Sequence, residues 1–182
     1  AGKVRHPHRA VAVFVDQRYP AQQVGFTRMA FVQGGQEAGV EVEDDAQMAR
    51  QDERAGQLMR LAGVGPTTAT ALLAMIGNGH EFSNGRQLSA WLGLTPGQYS
   101  SGGKTRLGRI TKAGDAYLRS MLVLGARAVL QAAQGKDDSV SRWAVQLAAR
   151  RGYWKAVVAI AAKNARMCWA VLAKGESFKL PA

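Results

Sequence analysis

Residues 118–130 carry the strongest structural signal in the sequence, because their apolar side chains repeat with the period of an α-helix. The positions follow the spacing i, i+3, i+4, i+7, i+8, i+11 and i+12, and they are Leu118, Met121, Leu122, Gly125, Ala126, Val129 and Leu130. A stripe of this kind buries one face of a helix against other elements. The sequence therefore predicts a long helix here, with other helices packed around it.

Helical patterns also flank this segment. Upstream, a helical pattern begins at Asp45, and Ser83 is suited to cap a short helix. Downstream, Gly135–Asp138 interrupt the chain before a further helix, and residues 153–174 form a last helix that Gly175 closes. The sequence has no repeat of fixed period and no alternation of strands with helices. A doubly wound sheet is therefore not expected.

The stretch LAGVGPTTATALLAMIG, residues 61–77, predicts two helices joined by a tight turn. Gly63 and Gly65 bracket the turn, and Pro66 suits the first position of the second helix. This pattern is typical of a helix-hairpin-helix, in which backbone N–H groups at the start of the second helix bind a DNA phosphate. It is equally compatible with a helical corner that binds nothing. Gly63 and Gly65 are therefore candidate DNA-binding residues.

Residues 93–114 predict a long loop, because glycine, serine, threonine and cations replace any apolar period. Connections of this length are usually functional or disordered. The cations Lys104, Arg106, Arg109 and Lys112 indicate a basic loop that closes over a phosphate backbone, and a solvated basic loop is the alternative. Together the patterns predict a mainly all-α fold: a helix-hairpin-helix followed by a small helical bundle with a long Gly/Ser/basic loop.

Two further features of this loop bear on chemistry. The run from Gly97 to Thr105 is similar to a phosphate-binding Walker A loop but has one residue too many and follows a helical segment, so an NTPase is set aside. Ser100 and Ser101 lie among cations that would stabilise phosphoryl charge. No His or Asp partner is assigned to either serine from spacing, so the residues alone leave a nucleophile undecided.

The charge of the chain favours polyanionic partners. There are 24 Lys+Arg against 13 Asp+Glu, a formal net charge of +11, and residues 58–182 hold 17 of the basic and 5 of the acidic side chains. Nucleic acid is the favoured partner, with an anionic membrane second. The longest clean apolar run, Ala156–Ala162, is far shorter than the ~20 residues that span a bilayer, so we expect no transmembrane helix and no membrane partner.

Cysteine and histidine content sets further bounds. The lone Cys168 forms no internal disulfide and no cysteine zinc cage, which fits a reducing, cytoplasmic setting. His6 and His8 are a weak metal signal without a third ligand, and the acidic run at 43–45 suits the start of a helix. We assign no metal ligand. The amino-terminal stretch lacks a sustained apolar region and a cleavage site, so a signal peptide is not expected.

Two stretches carry a family resemblance. They are LMRLAGVGPTTATALLAMIG and FSNGRQLSAWLGLTPGQYSSGGKTRLGRITKAGDAYLRSMLVLGARAV, and KNARMCWAVL follows them in order. They closely resemble the carboxy-terminal domain of the DEDD/serine insertion-sequence transposases, the "IS one-ten" group related to the Piv site-specific invertases. The resemblance runs from residue 44 to 180.

The resemblance implies DNA transposition and site-specific recombination, with DNA at the element ends and the target. It also implies that a serine attacks a DNA phosphate and forms a covalent protein–DNA link. Ser101, directly before Gly102, matches that serine best, and Ser100 is the alternative. A guide RNA and a homo-oligomer are further implied partners. No cofactor is expected for this chain, and a divalent metal such as Mg²⁺ is implied only for the complete enzyme.

The amino-terminal part departs from the family. The family's acidic RNase-H-like domain is not recognisable in residues 1–43, which we leave unassigned, as disordered or foreign sequence. Residues 44–60 are expected to end a helical connector, and residues 61–182 to form the transposase carboxy-terminal domain. We therefore expect a truncated remnant that binds nucleic acid but is inactive alone. The alternatives are a non-catalytic helix-hairpin-helix nucleic-acid-binding module and an inert degenerate product.

Overall fold

The computed structural model describes residues 38–101 and 103–175, with side chains described from Asp45 onwards except at positions 101 and 105. These residues form seven helices and one two-stranded sheet, so the mainly all-α prediction is confirmed. The elements are α1 (Ala38–Gln51), α2 (Glu53–Leu58), α3 (Pro66–Ile76), α4 (Gly85–Trp91), β1 (Pro96–Ser101), β2 (Lys104–Ile110), α5 (Ala116–Ala132), α6 (Ser139–Arg151) and α7 (Tyr153–Lys174). His6, His8 and all but the last six residues of the unassigned segment 1–43 lie outside the described residues.

The core is built around α7, which packs against α2, α4, α5 and α6. Its inward face is a stripe of small and medium apolar residues that includes Val157, Ile160 and Cys168. By length and hydropathy α7 is apolar enough to cross a membrane, but half of that apolar window is buried inside the fold. Burial raises the pKa of the Cys168 thiol to about 12. Helix α7 is thus the central core helix of the described part of the chain.

The predicted helix at 118–130 is confirmed as α5. Leu118, Leu122, Ala126 and Leu130 are its buried residues, which follow the i, i+4 positions of the apolar stripe. Helix α5 packs against α3, α6 and α7. The helical period of the apolar residues therefore predicted both the helix and the face that it buries.

Asp and Asn side chains begin four of the helices. Asp115 accepts a hydrogen bond from the backbone N–H of Leu118 at 2.6 Å, and Asp52 and Asp138 cap α2 and α6 in the same way. The cap of α4 is Asn84, which accepts from the N–H of Gln87, so the prediction of Ser83 as the cap is wrong by one residue. The N–H of Ser83 instead donates to the Gln87 side chain, which completes a reciprocal pair of bonds at this helix start.

The long loop predicted at 93–114 is mostly a β-hairpin, which corrects the sequence expectation. Strands β1 and β2 pair antiparallel, with Ser101 opposite Lys104 and Pro96 opposite Ile110. No alternation of buried and exposed side chains marks these strands, because all of their described residues except Gly97 and Ile110 are exposed. Periodicity reports burial on one face. A hairpin without a buried face therefore leaves no such signal in the sequence.

Candidate nucleic-acid interface

The hairpin projects from the helices as an arm, by which we mean β1, β2 and the turn between them. Among the described elements, β1 and β2 contact only each other. The turn joins Ser101 to Lys104 through two residues, and Gly103 has a φ of +75°, which glycine adopts without strain. Strands of this length extend about 20 Å at roughly 3.3 Å per residue. The arm therefore presents both of its faces to a partner.

The pairing register assigns the residues of the arm to two faces. Tyr99 lies opposite Arg106, and Gln98 lies opposite Leu107 on the other face. The Tyr99 ring lies over Gly108, because a Cβ added to that glycine would be 2.9 Å from the ring. A tyrosine over a bare glycine backbone supports an otherwise unpacked strand. Tyr99 is nevertheless 73% exposed, so one side of its ring is open.

The predicted cations of this segment are brought together by β2 and the chain that follows it. Lys104, Arg106 and Arg109 belong to the strand and are exposed. Lys112 follows the strand with a φ of +55°, which is rare outside glycine, and its N–H donates to the carbonyl of Gly93. The sequence has no Asp or Glu between Glu81 and Asp115. The positive charge of the arm is therefore not neutralised by acidic residues within this segment.

The two serines occupy neighbouring positions at the end of β1. The Ser100 hydroxyl accepts a hydrogen bond from the Gln98 side-chain amide at 2.7 Å. The backbone of Ser101 pairs with Lys104, whereas that of Ser100 pairs with Thr105. Adjacent positions of a strand belong to opposite faces. Position 101 therefore belongs to the face of Tyr99 and Arg106, and position 100 to the face of Gln98 and Leu107.

Arg119, which sequence reasoning missed, fixes the base of the arm. Its guanidinium donates to the carbonyls of Leu92 at 3.2 Å, Ala113 at 3.2 Å and Asp115 at 3.3 Å. These carbonyls belong to the chain that enters the arm and to the chain that leaves it. Close backbone approach reinforces the joint, because a Cβ on Gly114 would overlap the carbonyl oxygen of Trp91. In the sequence, the signal for this joint is the glycine at position 114.

The turn between α2 and α3 contains the second group of candidate residues. Gly63 has a φ of +83°, and a Cβ added there would be 2.7 Å from the carbonyl oxygen of Gly125 on α5. The turn is also fixed by the buried Asn164, which donates to the carbonyl of Ala62 at 2.9 Å. The need for glycine at position 63 thus has a packing cause, and its contact with DNA stays a prediction.

Gly65 occupies a different environment from Gly63. It is exposed at the start of α3, where it provides no side-chain cap and where an added Cβ would contact nothing. Pro66 takes the first helical position as predicted. The first N–H groups of α3 therefore lie beside an uncapped and open position. The arm shares no direct contact with α2 or α3, so the structure separates the candidate residues into two groups.

The acidic residues near both groups serve the fold. Asp115 and Asp138 accept hydrogen bonds from helix-start N–H groups, and hydrogen bonding from Ser141 holds the pKa of Asp138 below its usual value. In the described ranges no three His, Cys, Asp or Glu side chains lie together as a metal site would require. The described residues therefore do not fit the divalent metal that the resemblance implies for the complete enzyme.

Clustered exposed cations of this kind are a feature of nucleic-acid-binding proteins. Comparison with known proteins adds a family similarity. A model of the "Transposase IS116/IS110/IS902 family" matches residues 55–140, which include the turn between α2 and α3, the arm and α5.

Individual relatives agree with the family model. The "Probable family 20 transposase" of Pseudomonas aeruginosa is 45% identical over 130 residues, which are 71% of this chain and 38% of that protein. The "Transposase for insertion sequence element IS1111A" of Coxiella burnetii is 42% identical over 132 residues, 72% of this chain and 36% of that protein. The "Transposase for insertion sequence element IS1328" of Yersinia enterocolitica is 35% identical over 127 residues, 70% of this chain and 38% of that protein.

These findings make the chain similar to part of the insertion-sequence transposases of the IS116/IS110/IS902 family. The matched segment spans less than two-fifths of the length of each of the three relatives.

Proposed function

We propose that this chain contributes the DNA-binding surface and the serine nucleophile of an insertion-sequence transposase. The observation that carries the proposal is the exposed arm, which places a pair of serines at its turn beside the uncompensated cations of β2. A two-stranded ribbon fits the major groove of B-DNA. The arm therefore approaches a phosphodiester without displacing any other described element.

Ser101 is the proposed nucleophile. Its hydroxyl oxygen attacks a phosphorus atom of the DNA backbone, and the P–O bond to one deoxyribose oxygen breaks. The proton that the serine hydroxyl gives up is balanced by the proton that the leaving deoxyribose oxygen takes up as it becomes a free hydroxyl. One phosphodiester is exchanged for another, so the freed DNA hydroxyl reverses the step by attacking the phosphoserine link. Lys104, which pairs with Ser101 across the turn, and Arg106 are placed to stabilise the charge that develops on the phosphoryl oxygens.

The hydrogen bond at Ser100 supports the choice between the two serines. The Ser100 oxygen already accepts a hydrogen bond from the Gln98 amide, which reduces the electron density available for attack. Ser101 also belongs to the face of the strand that carries Arg106. We therefore assign Ser101 as the nucleophile and keep Ser100 as the control position.

The turn between α2 and α3 is proposed as a second phosphate contact, of the helix-hairpin-helix type. Gly65 is exposed, α3 begins without a side-chain cap, and the neighbouring Arg60 is also exposed. Helix-start N–H groups favour an anion at such a position. Contacts of this kind position DNA without reading its sequence. This geometry also favours the second candidate function, a nucleic-acid-binding module without catalytic activity.

Further partners follow from the proposed transposase. We propose that element RNA and further copies of the chain join it on DNA. Any Mg²⁺ is bound by an acidic domain, and the assembly acts in the cytoplasm. The proposal predicts that the purified chain binds DNA.

The test is a search for a covalent adduct that survives denaturation. The chain is incubated with labelled element-end DNA, with and without a separately supplied RNase-H-like domain and element RNA. We expect an adduct only in the supplemented reaction, retained in Ser100→Ala and lost in Ser101→Ala. An adduct lost in Ser100→Ala alone would move the nucleophile by one residue. Binding without an adduct in every mixture would leave the non-catalytic module.

A further inference from the structure

An aromatic pair at the junction of α6 and α7 is exposed in a way that packing does not explain. Trp154 is 64% exposed and Tyr153 is 44% exposed. In contrast, the partly buried Trp169 donates its indole N–H to the carbonyls of Gly79 and Phe82, and so ties α7 to the chain before α4. Among the described residues Trp154 makes no such hydrogen bond. Its large apolar surface therefore contributes little to the core.

Neighbouring groups define the position of the Trp154 ring. The Tyr153 and Trp154 rings meet edge to face, with centroids 5.2 Å apart and planes at 83°. The Arg127 guanidinium, which comes from α5, lies 5.8 Å from the Trp154 ring centroid. A cation at this distance interacts favourably with the electron-rich face of an indole. Most of the ring surface nevertheless stays open to solvent.

The charge around this pair has one sign. Helices α5, α6 and α7 contain no Asp or Glu and together carry nine Lys and Arg side chains. Exposed cations flank the aromatic pair on both sides in the sequence, namely Arg150 and Arg151 before it and Lys155 after it. Gly152, with a φ of +86°, turns the chain between the two helices. The patch therefore combines exposed aromatic rings with exposed cations at neighbouring positions of the chain.

We propose that Tyr153, Trp154 and Arg127 form a stacking platform for an unpaired segment of a DNA strand, whose phosphates are bound by the flanking cations. Every base has a flat aromatic face, so stacking on Trp or Tyr tolerates any sequence. Paired and stacked bases in a duplex hide these faces, which makes an unpaired strand the matching ligand. The choice of DNA rests on the proposed function, whereas the platform itself rests on the ring geometry and charge.

A protein partner is the competing occupant, since Trp, Tyr and Arg also dominate protein interfaces. The nine cations and the absence of any acidic residue on these three helices favour a polyanion instead. A surface for a second copy of this chain would place this positive charge beside the positive charge of the copy. The platform is therefore assigned to DNA.

The experiment measures binding of the full chain to a labelled oligo-dT of about 15 nucleotides by fluorescence polarisation, with a duplex of the same length in parallel. Trp154→Ala removes the stacking surface, and Trp154→Phe restores an aromatic ring. The matched control is Leu124→Ala, which removes a different exposed apolar side chain from α5. The unfolding midpoint of each variant is recorded, and Trp154→Phe keeps the test valid where Trp154→Ala folds poorly.

We expect the affinity for oligo-dT to fall about tenfold in Trp154→Ala and to be largely restored in Trp154→Phe. Leu124→Ala should bind like the parent, and duplex affinity should change by less than about threefold in all variants. Unchanged oligo-dT affinity in Trp154→Ala overturns the proposal, as does an equal loss with the duplex. Two other results for Trp154→Ala would also overturn it. A loss of affinity for oligo-rU alone would assign the platform to RNA, and a loss of self-association with normal oligo-dT binding would assign it to a second copy of the chain.

This test is independent of the nucleophile. A chain that binds oligo-dT through Trp154 but forms no adduct under any condition would overturn the serine mechanism alone. A chain that forms the adduct while Trp154→Ala binds oligo-dT normally would overturn the platform alone.

Discussion

The helical body, α1–α7, and the arm differ in what holds them in place. In the body, leucines such as Leu58, Leu72 and Leu122 are fully buried, and Asp or Asn caps begin four helices. The arm buries little, packs against no other described element, and depends on its own strand pairing and on the joint at Arg119. A two-stranded hairpin is only marginally stable by itself.

The difference between the body and the arm shows which side chains are available to bind a partner. Side chains in the body are constrained by close packing, so few of them are free for chemistry. Side chains of the arm are not required for burial, and they include serine, lysine and arginine. The arm therefore contributes little to the stability of the fold, and its side chains are available to a polyanionic partner.

The largest expected effect lies at the crossing between the α2–α3 turn and α5. In Gly125→Ala the added methyl group would overlap the carbonyl oxygen of Gly63, so the two backbones must separate. We expect the free energy of unfolding to fall by at least about 2 kcal/mol, as for an overpacked core. The measurement is urea denaturation followed by far-UV circular dichroism.

The control for this variant is Gly56→Ala in α2, where an added methyl group contacts nothing. Removing a glycine from a helix interior should raise stability by about 0.5–1 kcal/mol. A Gly125→Ala protein as stable as the parent would show that the crossing is not a close contact and would weaken the contrast between body and arm.

The joint between the two regions is the next test. Arg119→Gln removes a cation that donates to three carbonyls at the base of the arm. We expect a loss of about 1–2 kcal/mol in the free energy of unfolding, since hydrogen bonds to charged groups contribute more than neutral ones. Faster amide exchange should appear across β1 and β2, measured by hydrogen–deuterium exchange.

Arg142→Gln, at an exposed site on α6, is the matched control and should leave both measurements unchanged. Unaltered exchange in the arm of Arg119→Gln would mean that the hairpin does not depend on its base. The arm would then be an independently stable element.

A smaller, pH-dependent effect is expected at the start of α6. Hydrogen bonding from Ser141 lowers the pKa of Asp138 in the folded state. Its ionised cap therefore stabilises the body fully above the ordinary value of 3.8, and this contribution is lost as the pH falls through the folded pKa. Asp138→Ala should lower Tm at pH 7 and by less near pH 3.

The exposed neighbour Asp137 provides the control for the cap, because the α6 start is capped by Asp138 alone among the described residues. Asp137→Ala should change Tm little at either pH. A Tm difference for Asp138→Ala that stays constant from pH 7 to pH 3 would argue against an ionised cap.

The smallest effect on stability is expected in the arm itself. Replacing Lys104, Arg106 and Arg109 together by Gln should change the free energy of unfolding by less than about 0.5 kcal/mol, as for exposed positions. The same variant should bind DNA more weakly. The slope of log affinity against log salt concentration should be smaller in magnitude by about 2–3. Denaturation and binding are measured on the same preparation.

A triple Gln variant of the exposed Arg86, Lys136 and Arg142 removes the same charge from the body, so it separates the effect of the arm from the effect of net charge. Equal losses of duplex affinity in both triple variants would show that DNA responds to total charge and would remove the special role of the arm.

Sequence patterns predicted the helices with a buried face and little of what lies outside them. The stripe of α5, the break at 135–138 and the glycine end of α7 at Gly175 were all readable, because helical burial repeats with a fixed period. The hairpin was missed since its strands have no buried face. The cap of α4 was placed one residue early because Ser83 and Asn84 are both good capping residues.

The candidate site divides in the same way. The sequence by itself determined which residues carry charge and which hydroxyls lie among them, and it determined the mainly helical fold. Only the tertiary structure decided that Ser101 pairs with Lys104, that Gly63 crosses Gly125, and that Arg119 ties the arm to the body. Charge and helical period are local properties of the chain, whereas strand pairing, backbone crossings and carbonyl contacts join residues that only folding brings together.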